Sequence, residues 1–259
     1  MNVNVVWRNL LTYLLEYGED TSPRGIKTKE TICRTSRVDM NHPIILIKER
    51  NVGYNFMFAE AWWILDGRND VQSIRPYAPS IDRFSDDGRT FRGAYGPKII
   101  QQVDYCVECL INDPNSRQSI MTIWERNPRK SRDIPCTLSL QFVIRNNKLD
   151  CIATMRSSDA WIGFIYDVFN FSCISACIAA EYNMISDSFE KVELGTLHLT
   201  TGSQHLYAKD FDKARKIVSN ESILTPPPIS FSEVIEACDS MEDIVGILEE
   251  CKDRTYETN

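Results

Sequence analysis

The chain has 259 residues, of which 43% are hydrophobic and 25% charged. These are globular proportions, and they exclude a disordered, collagen-like or low-complexity protein. The formal net charge of −7 argues against a sequence-blind nucleic-acid binder, whose affinity comes from neutralising phosphates, yet it leaves room for a local basic pocket around a small phosphate compound.

Residues 3–17 have apolar side chains at helical spacing (Val5, Leu10, Leu11, Leu14, Leu15) and predict an amphipathic helix. Arg8 and Glu16 interrupt it, and no small-residue cleavage site follows, so it is not read as a signal peptide. The polar run TSPRG around Arg24 predicts a turn, and the β-branched content from Thr31 to Lys48, with Ile44, Ile45 and Ile47, predicts strands. Residues 56–67 read as an apolar helix ending at Gly67, and 98–110 as a second helix. Residues 117–124 predict a buried strand, and 137–156 a hairpin turning at Asn146-Asn147. A long core helix is expected over 168–183, then a strand from 195 leading into a loop and helix by 211. Pro226–Pro228 is the one linker-like run, and a final amphipathic helix is expected from Ser232 to Cys251. Strands and helices in this order, without regular βαβ alternation, predict an α+β fold in a single domain spanning 1–259. No window approaches the roughly 20 apolar residues of a membrane span. Nine scattered cysteines, an odd count, read as reduced thiols in a cytoplasmic protein.

Cys106 and Cys109 have CxxC spacing, but a zinc site of that type needs a second pair. Cys173 and Cys177, i,i+4 on an apolar helix, read as buried and inert, and His42 and His198 lack ligand spacing. No metal is expected. Cys136 differs: it follows Ile134-Pro135, opens the hairpin, and is preceded by Arg126, Arg129, Lys130 and Arg132. Positive charge beside a thiol lowers its pKa and raises the reactive thiolate fraction. Glu60 lies in an apolar helix beside Trp62 and Trp63, where an unpaired carboxylate is costly and a raised pKa suits proton transfer.

Six motifs occur in one order: PRG at 23–25, EAWWILDG at 60–67, DPNSRQSIMTIW at 113–124, PC at 135–136, MRSSDAWIGF at 155–164 followed by Asp167, and HLY within SQHLY at 203–207. On these the chain resembles the thymidylate synthase and pyrimidine-nucleotide hydroxymethylase superfamily over roughly residues 10 to 210. The resemblance implies a mixed β-sheet packed with helices, a homodimer formed through that sheet, and a pyrimidine nucleoside monophosphate and a folate as ligands. It implies that Cys136 adds to C6 of the base, that Glu60 moves protons through water, and that Tyr95 lies near the nucleophile. Arg24, Arg156 and Ser157 would hold the phosphate together with Arg117 of the other protomer. His205 and Tyr207 would hold the sugar 3′-hydroxyl, and Asp159, with Trp63, the pterin. The family usually carries two adjacent arginines at the crossing position; Gln118 stands at the second.

Asp167 stands where the synthases acting on dUMP carry asparagine. A carboxyl group accepts from cytosine N4 and shares a proton with N3, whereas an ionised one offers no donor to uracil O4. The last fifty residues, including the segment from 212, lack the YDPHP-like run and small apolar tail with which synthases close their site. Together these features lead to the expectation of 5-hydroxymethylation of a cytidine 5′-monophosphate, dCMP ahead of CMP, with 5,10-methylenetetrahydrofolate and water. A methylating synthase and a catalytically silent nucleotide binder are the alternatives.

Overall fold

The computed structural model describes residues 1–186, 190–219, 238 and 240–254. The opening helix α1 (Val3–Tyr17) starts at Asn2, whose side chain accepts from the Val5 amide at 3.2 Å. It buries Trp7, Leu10, Leu11 and Leu14, each such side chain contributing about 1.5–3 kcal/mol of transfer free energy. After β1 (Glu19–Thr21), strand β2 (Thr28–Asp39) carries only part of the expected extended stretch. Pro43 has no N–H for a ladder. Asn4 of α1 holds the Ile44 carbonyl at 3.1 Å and the Leu46 amide at 2.7 Å. Ile45 and Ile47 are therefore buried without joining the sheet.

The helix α2 (Tyr54–Leu65) and a short α3 (Val71–Ile74) come next. The single helix expected over 98–110 is two, α4 (Gly96–Ile100) and α5 (Val103–Asn112). The break falls at Gln102, whose amide donates to the Lys98 and Thr122 carbonyls and accepts from the Thr122 amide. Strand β3 (Ile120–Thr122) is a short edge strand in which only Met121 faces inward, not the buried strand expected. Strands β4 (Thr137–Arg145) and β5 (Lys148–Asp159) form the hairpin, with Asn146 and Asn147 at φ 51° and 59°, the left-handed pair that a tight two-residue turn requires.

Helix α6 (Gly163–Ile185) leads by way of β6 (Glu193–Tyr207) to α7 (Phe211–Ser219), and α8 (Met241–Lys252) ends the described chain. Pro226–Pro228 and residues 232–237 of the expected last helix lie outside the described residues. The 23 residues of α6 are long and apolar enough to cross a bilayer, contrary to the reading of the sequence. They are buried instead among the sheet, α2, α5 and α8.

The six strands form one mixed sheet in the order β1-β2-β6-β5-β4-β3, antiparallel except for the β5–β6 pair. With helices packed on it, this is the α+β architecture expected. The parallel pair aligns Cys151, Ala153 and Met155 with Leu197, Leu199 and Thr201, all buried. Further along the same strands the aligned residues are Ser157 with Ser203 and Asp159 with His205, half-buried and polar. All nine cysteines are free thiols. Those at Cys173 and Cys177 are pushed well up by burial, as inert thiols would be.

Candidate active site

Where the sheet turns polar, α2, α6, the segment around Tyr95 and the start of β4 enclose a cavity of about 480 Å³, within the range of small-molecule sites. Each wall is fixed locally. Gly93 donates its amide to Asp133 at 2.6 Å, and a Cβ there would lie 3.0 Å from Asp133, so glycine lets the Tyr95 segment close tightly against the segment leading to Cys136. The Cys136 carbonyl accepts from the Arg156 amide at 2.8 Å, which ties the start of β4 to β5. The Arg156 guanidinium wraps around the same segment, donating to the carbonyls of Ile134 and Pro135 at 2.9 Å each.

Helix α2 lies between two neighbours. Phe56, Glu60, Trp63 and Ile64 line the cavity. On its other side Asn55 donates to the Lys252 and Arg254 carbonyls, and the Lys252 ammonium sits 4.9 Å from the Trp62 ring centre. The end of α8 thus presses on the helix that carries Glu60 from behind.

Cys136, Glu60, Tyr95, Asp167 and Trp63 all line this cavity. Burial pushes Glu60 up to about 7, opposed by a hydrogen bond that its Oε2 accepts from Asn170 Nδ2 at 2.8 Å. Asp167 is pushed well above the ordinary carboxylate range by burial and then by the charges of Glu60 and Asp159. Ionisation of Glu60 or Asp159 therefore works against ionisation of Asp167. The Tyr95 hydroxyl accepts from both the amide and the hydroxyl of Thr137, at 3.3 and 2.9 Å, which leaves its own O–H as a donor. Its pKa is raised by burial, Asp167 and Cys136.

The Cys136 thiol contradicts one expectation. Burial raises its pKa, with Arg156 as the first opposing influence and Asp167 adding to the rise. Ser157 Oγ lies 3.8 Å from its sulfur. Arg132, the last of the basic run before it, is engaged with Asp86. The basic group at the thiol is Arg156, which is distant in sequence and close through the β4–β5 ladder.

The remaining residues stand around the cavity rather than in its wall. Ser157, Asp159, Ser203 and His205 share neighbouring positions on β5 and β6. The His205 and Tyr207 rings meet edge to face at 5.0 Å. Asp159 accepts from the Trp161 amide at 2.9 Å, and its pKa is raised by burial. Arg24 is exposed, at φ 56° in the turn before β2, whose Thr28 pairs with Tyr207. Arg117 is exposed beside β3, its carbonyl accepting from Gln141. From β2 to β3 is four strand spacings, about 19 Å, so Arg24 and Arg117 belong to well-separated parts of the sheet.

The sequence reading missed Asn170, which is 4% exposed and sits one helical turn beyond Asp167 on the same face of α6. An asparagine inside so apolar a helix was the available signal, because a buried amide needs partners. The aromatic walls, with Phe56, Trp63, Phe84, Phe91 and Tyr166, suit flat heterocycles such as a pyrimidine against a pterin. Among the described residues there is no cluster of His, Cys, Asp or Glu that would hold a metal ion.

Two comparisons bear on this site. A family model described as thymidylate synthase matches residues 6–245, past the stretch on which the motifs lie and into α8. The chain is also similar to the deoxyuridylate hydroxymethyltransferase of Bacillus phage SP01, at 27% identity over 97% of this chain and 74% of the relative.

Proposed function

Because the chain belongs to the thymidylate synthase family, we propose that it is a pyrimidine-nucleotide 5-hydroxymethyltransferase that acts on a cytidine 5′-monophosphate, dCMP ahead of CMP. The observation that carries the base assignment is Asp167, a carboxyl deep in the cavity beside Glu60. Its likeness to a phage hydroxymethyltransferase supports water addition rather than reduction as the outcome.

In this reading 5,10-methylenetetrahydrofolate supplies the one-carbon unit. The chain supplies the rest. Cys136 Sγ adds to C6 of the base and makes C5 nucleophilic, as covalent catalysis requires for a weakly reactive ring. Arg156 favours the thiolate against the effect of burial. Glu60, with a pKa of about 7, is poised to give and take protons at neutral pH. Tyr95 offers its O–H beside the nucleophile. Arg156, Ser157 and Arg24 hold the phosphate, and the strand spacing favours Arg117 arriving from a second protomer across the sheet. Arginine suits this role because its planar fork binds phosphate oxygens in pairs. His205 and Tyr207 hold the sugar, and Asp159 and Trp63 the pterin.

The raised pKa changes how Asp167 reads the base. A protonated carboxyl offers one donor and one acceptor, and can face either ring by turning over. Burial therefore works against the ionised Asp167 on which rejection of uracil would depend. Preference for cytosine rests instead on proton transfer: N3 of cytosine accepts the Asp167 proton as the ring is activated, while N3 of uracil already carries one. A second reading, dUMP as substrate, is favoured by the raised pKa of that carboxyl and by the name of the SP01 relative. Asp167→Asn decides between them. The ratio of kcat/KM for dCMP to that for dUMP is expected to fall by about 100-fold. An unchanged ratio in the variant would remove Asp167 as the base reader.

A further inference from the structure

Two acceptors at the floor of the cavity lack donors. Asn170 Nδ2 is engaged by Glu60 Oε2 at 2.8 Å, which fixes the amide and turns Oδ1 the other way. That oxygen is buried and makes no hydrogen bond. Leaving a buried acceptor unpaired is unfavourable, so the site calls for a donor. Glu60 Oε1 likewise has no hydrogen bond among the described residues, and both side chains line the same cavity. A water molecule donating one hydrogen to each oxygen would answer both needs, with its lone pairs facing away from both acceptors, into the cavity. Because Asn170 lies a turn beyond Asp167 and is the more buried of the two, a base held by Asp167 leaves this position to water.

We infer that Asn170, through Oδ1 and together with Glu60, holds the water that becomes the hydroxyl of the product. This rests on the hydroxymethyltransferase reading and adds to it a residue with its own step. Once the one-carbon unit is on C5 as an exocyclic methylene and tetrahydrofolate has left, the water oxygen adds to that carbon. The C=C electron pair moves onto C5 and the ring, and Glu60 takes the proton that leaves the water. The same pair then re-forms C5=C6 and expels Cys136 as thiolate. One water is consumed, and no oxidant or reductant is needed. Asn170 is not required for the earlier steps, in which C5 acquires the carbon and loses its hydrogen.

The test separates those stages. Wild type, Asn170→Ala and Asn170→Ser are incubated with methylenetetrahydrofolate, C5-tritiated dCMP (or dUMP, whichever the wild type turns over) and 2-mercaptoethanol. Tritium release reads the steps before water addition. Mass spectrometry of the nucleotide reads the 5-hydroxymethyl product and the thioether formed when thiol captures the same carbon. In Asn170→Ala the hydroxymethyl product is expected to fall by about 100-fold, tritium release by less than about tenfold, and the thioether to account for the difference. Asn170→Ser keeps a small acceptor and is expected between the two; it also carries the test if the alanine variant does not fold. Product and tritium release falling by one factor without thioether would overturn the inference, as would wild-type product from both variants. Wild type that releases tritium from neither nucleotide would overturn the hydroxymethyltransferase reading itself.

Discussion

The two ends of β5 and β6 have the same pairing and opposite chemistry. At one end the aligned residues Cys151, Ala153 and Met155 beside Leu197, Leu199 and Thr201 are sealed in the core. At the other, Ser157, Asp159, Ser203 and His205 are half-open and polar, while their alternate neighbours Ser158, Gln204 and Leu206 are the buried ones. The strand register runs on through Ser158 and Gln204, and the Gln204 side chain adds a bond to the Ser158 carbonyl at 2.9 Å as burial changes face. The packed end positions the polar end: a continuous ladder transmits rigid geometry to side chains that could not pack for themselves. Substitutions at the polar end should change chemistry, and those at the packed end should change stability.

The thiols give the widest separation. Cys136→Ser is expected to lower turnover by about 10⁴-fold or more, the scale on which a lost nucleophile acts, with nucleotide binding and melting temperature nearly unchanged. Cys151, whose thiol is pushed up to about 12 by burial at the packed end, should show the reverse when changed to serine: a lower melting temperature and unaltered turnover per folded molecule. If both variants lost activity alike, the division would fail.

Glu60 is where the two behaviours meet, since it is reactive and buried at once. Glu60→Gln is expected to reduce turnover by about 10²–10⁴-fold. It should also alter stability with a defined sign. Below pH 4.5, the ordinary value for the group, folded and unfolded chains are both protonated, and Glu60 imposes no penalty. As pH rises to about 7 the unfolded chain ionises first, and the wild type loses up to about 3 kcal/mol relative to the variant. Above that the difference should be flat. Denaturant unfolding of both proteins across this range measures it, and a constant difference at all pH values would show that Glu60 is not held neutral by burial. Activity should rise along the same limb as Glu60 becomes a base.

Much of this was legible in the sequence, and the exceptions have physical causes. The helices at α1 and α6 follow from apolar spacing, the hairpin from its Asn-Asn turn, the cavity residues Cys136, Glu60, Trp63 and Asp167 from the ordered motifs, and Tyr95 from the family resemblance. What the chain order hid is what other parts of the chain impose. Asn4 draws Ile44–Ile47 away from the sheet, and Gln102 splits a helix by bonding to β3. Arg132, close to Cys136 in sequence, is taken up by Asp86, whereas Arg156, twenty residues on, bears on the thiol. The raised pKa of Asp167 comes from its burial and then from the charges of Glu60 and Asp159, which no local window contains. Asn170 went unread because its meaning lies in its partner on another helix.

The smallest effect sharpens the packed side of the comparison. Leu199→Ala removes a fully buried side chain and is expected to cost about 2–5 kcal/mol of stability. KM for the nucleotide should be unchanged at temperatures where the variant remains folded. A raised KM there would mean that the two ends are more tightly coupled than the ladder implies.

The most direct test of the central claim follows the fate of the one-carbon unit in the wild-type protein. Methylenetetrahydrofolate is supplied with C5-tritiated dCMP, CMP or dUMP, and tritium release is monitored together with dihydrofolate absorbance. Release from dCMP without dihydrofolate is the predicted result. Release matched by dihydrofolate would identify a methylating synthase and contradict the account.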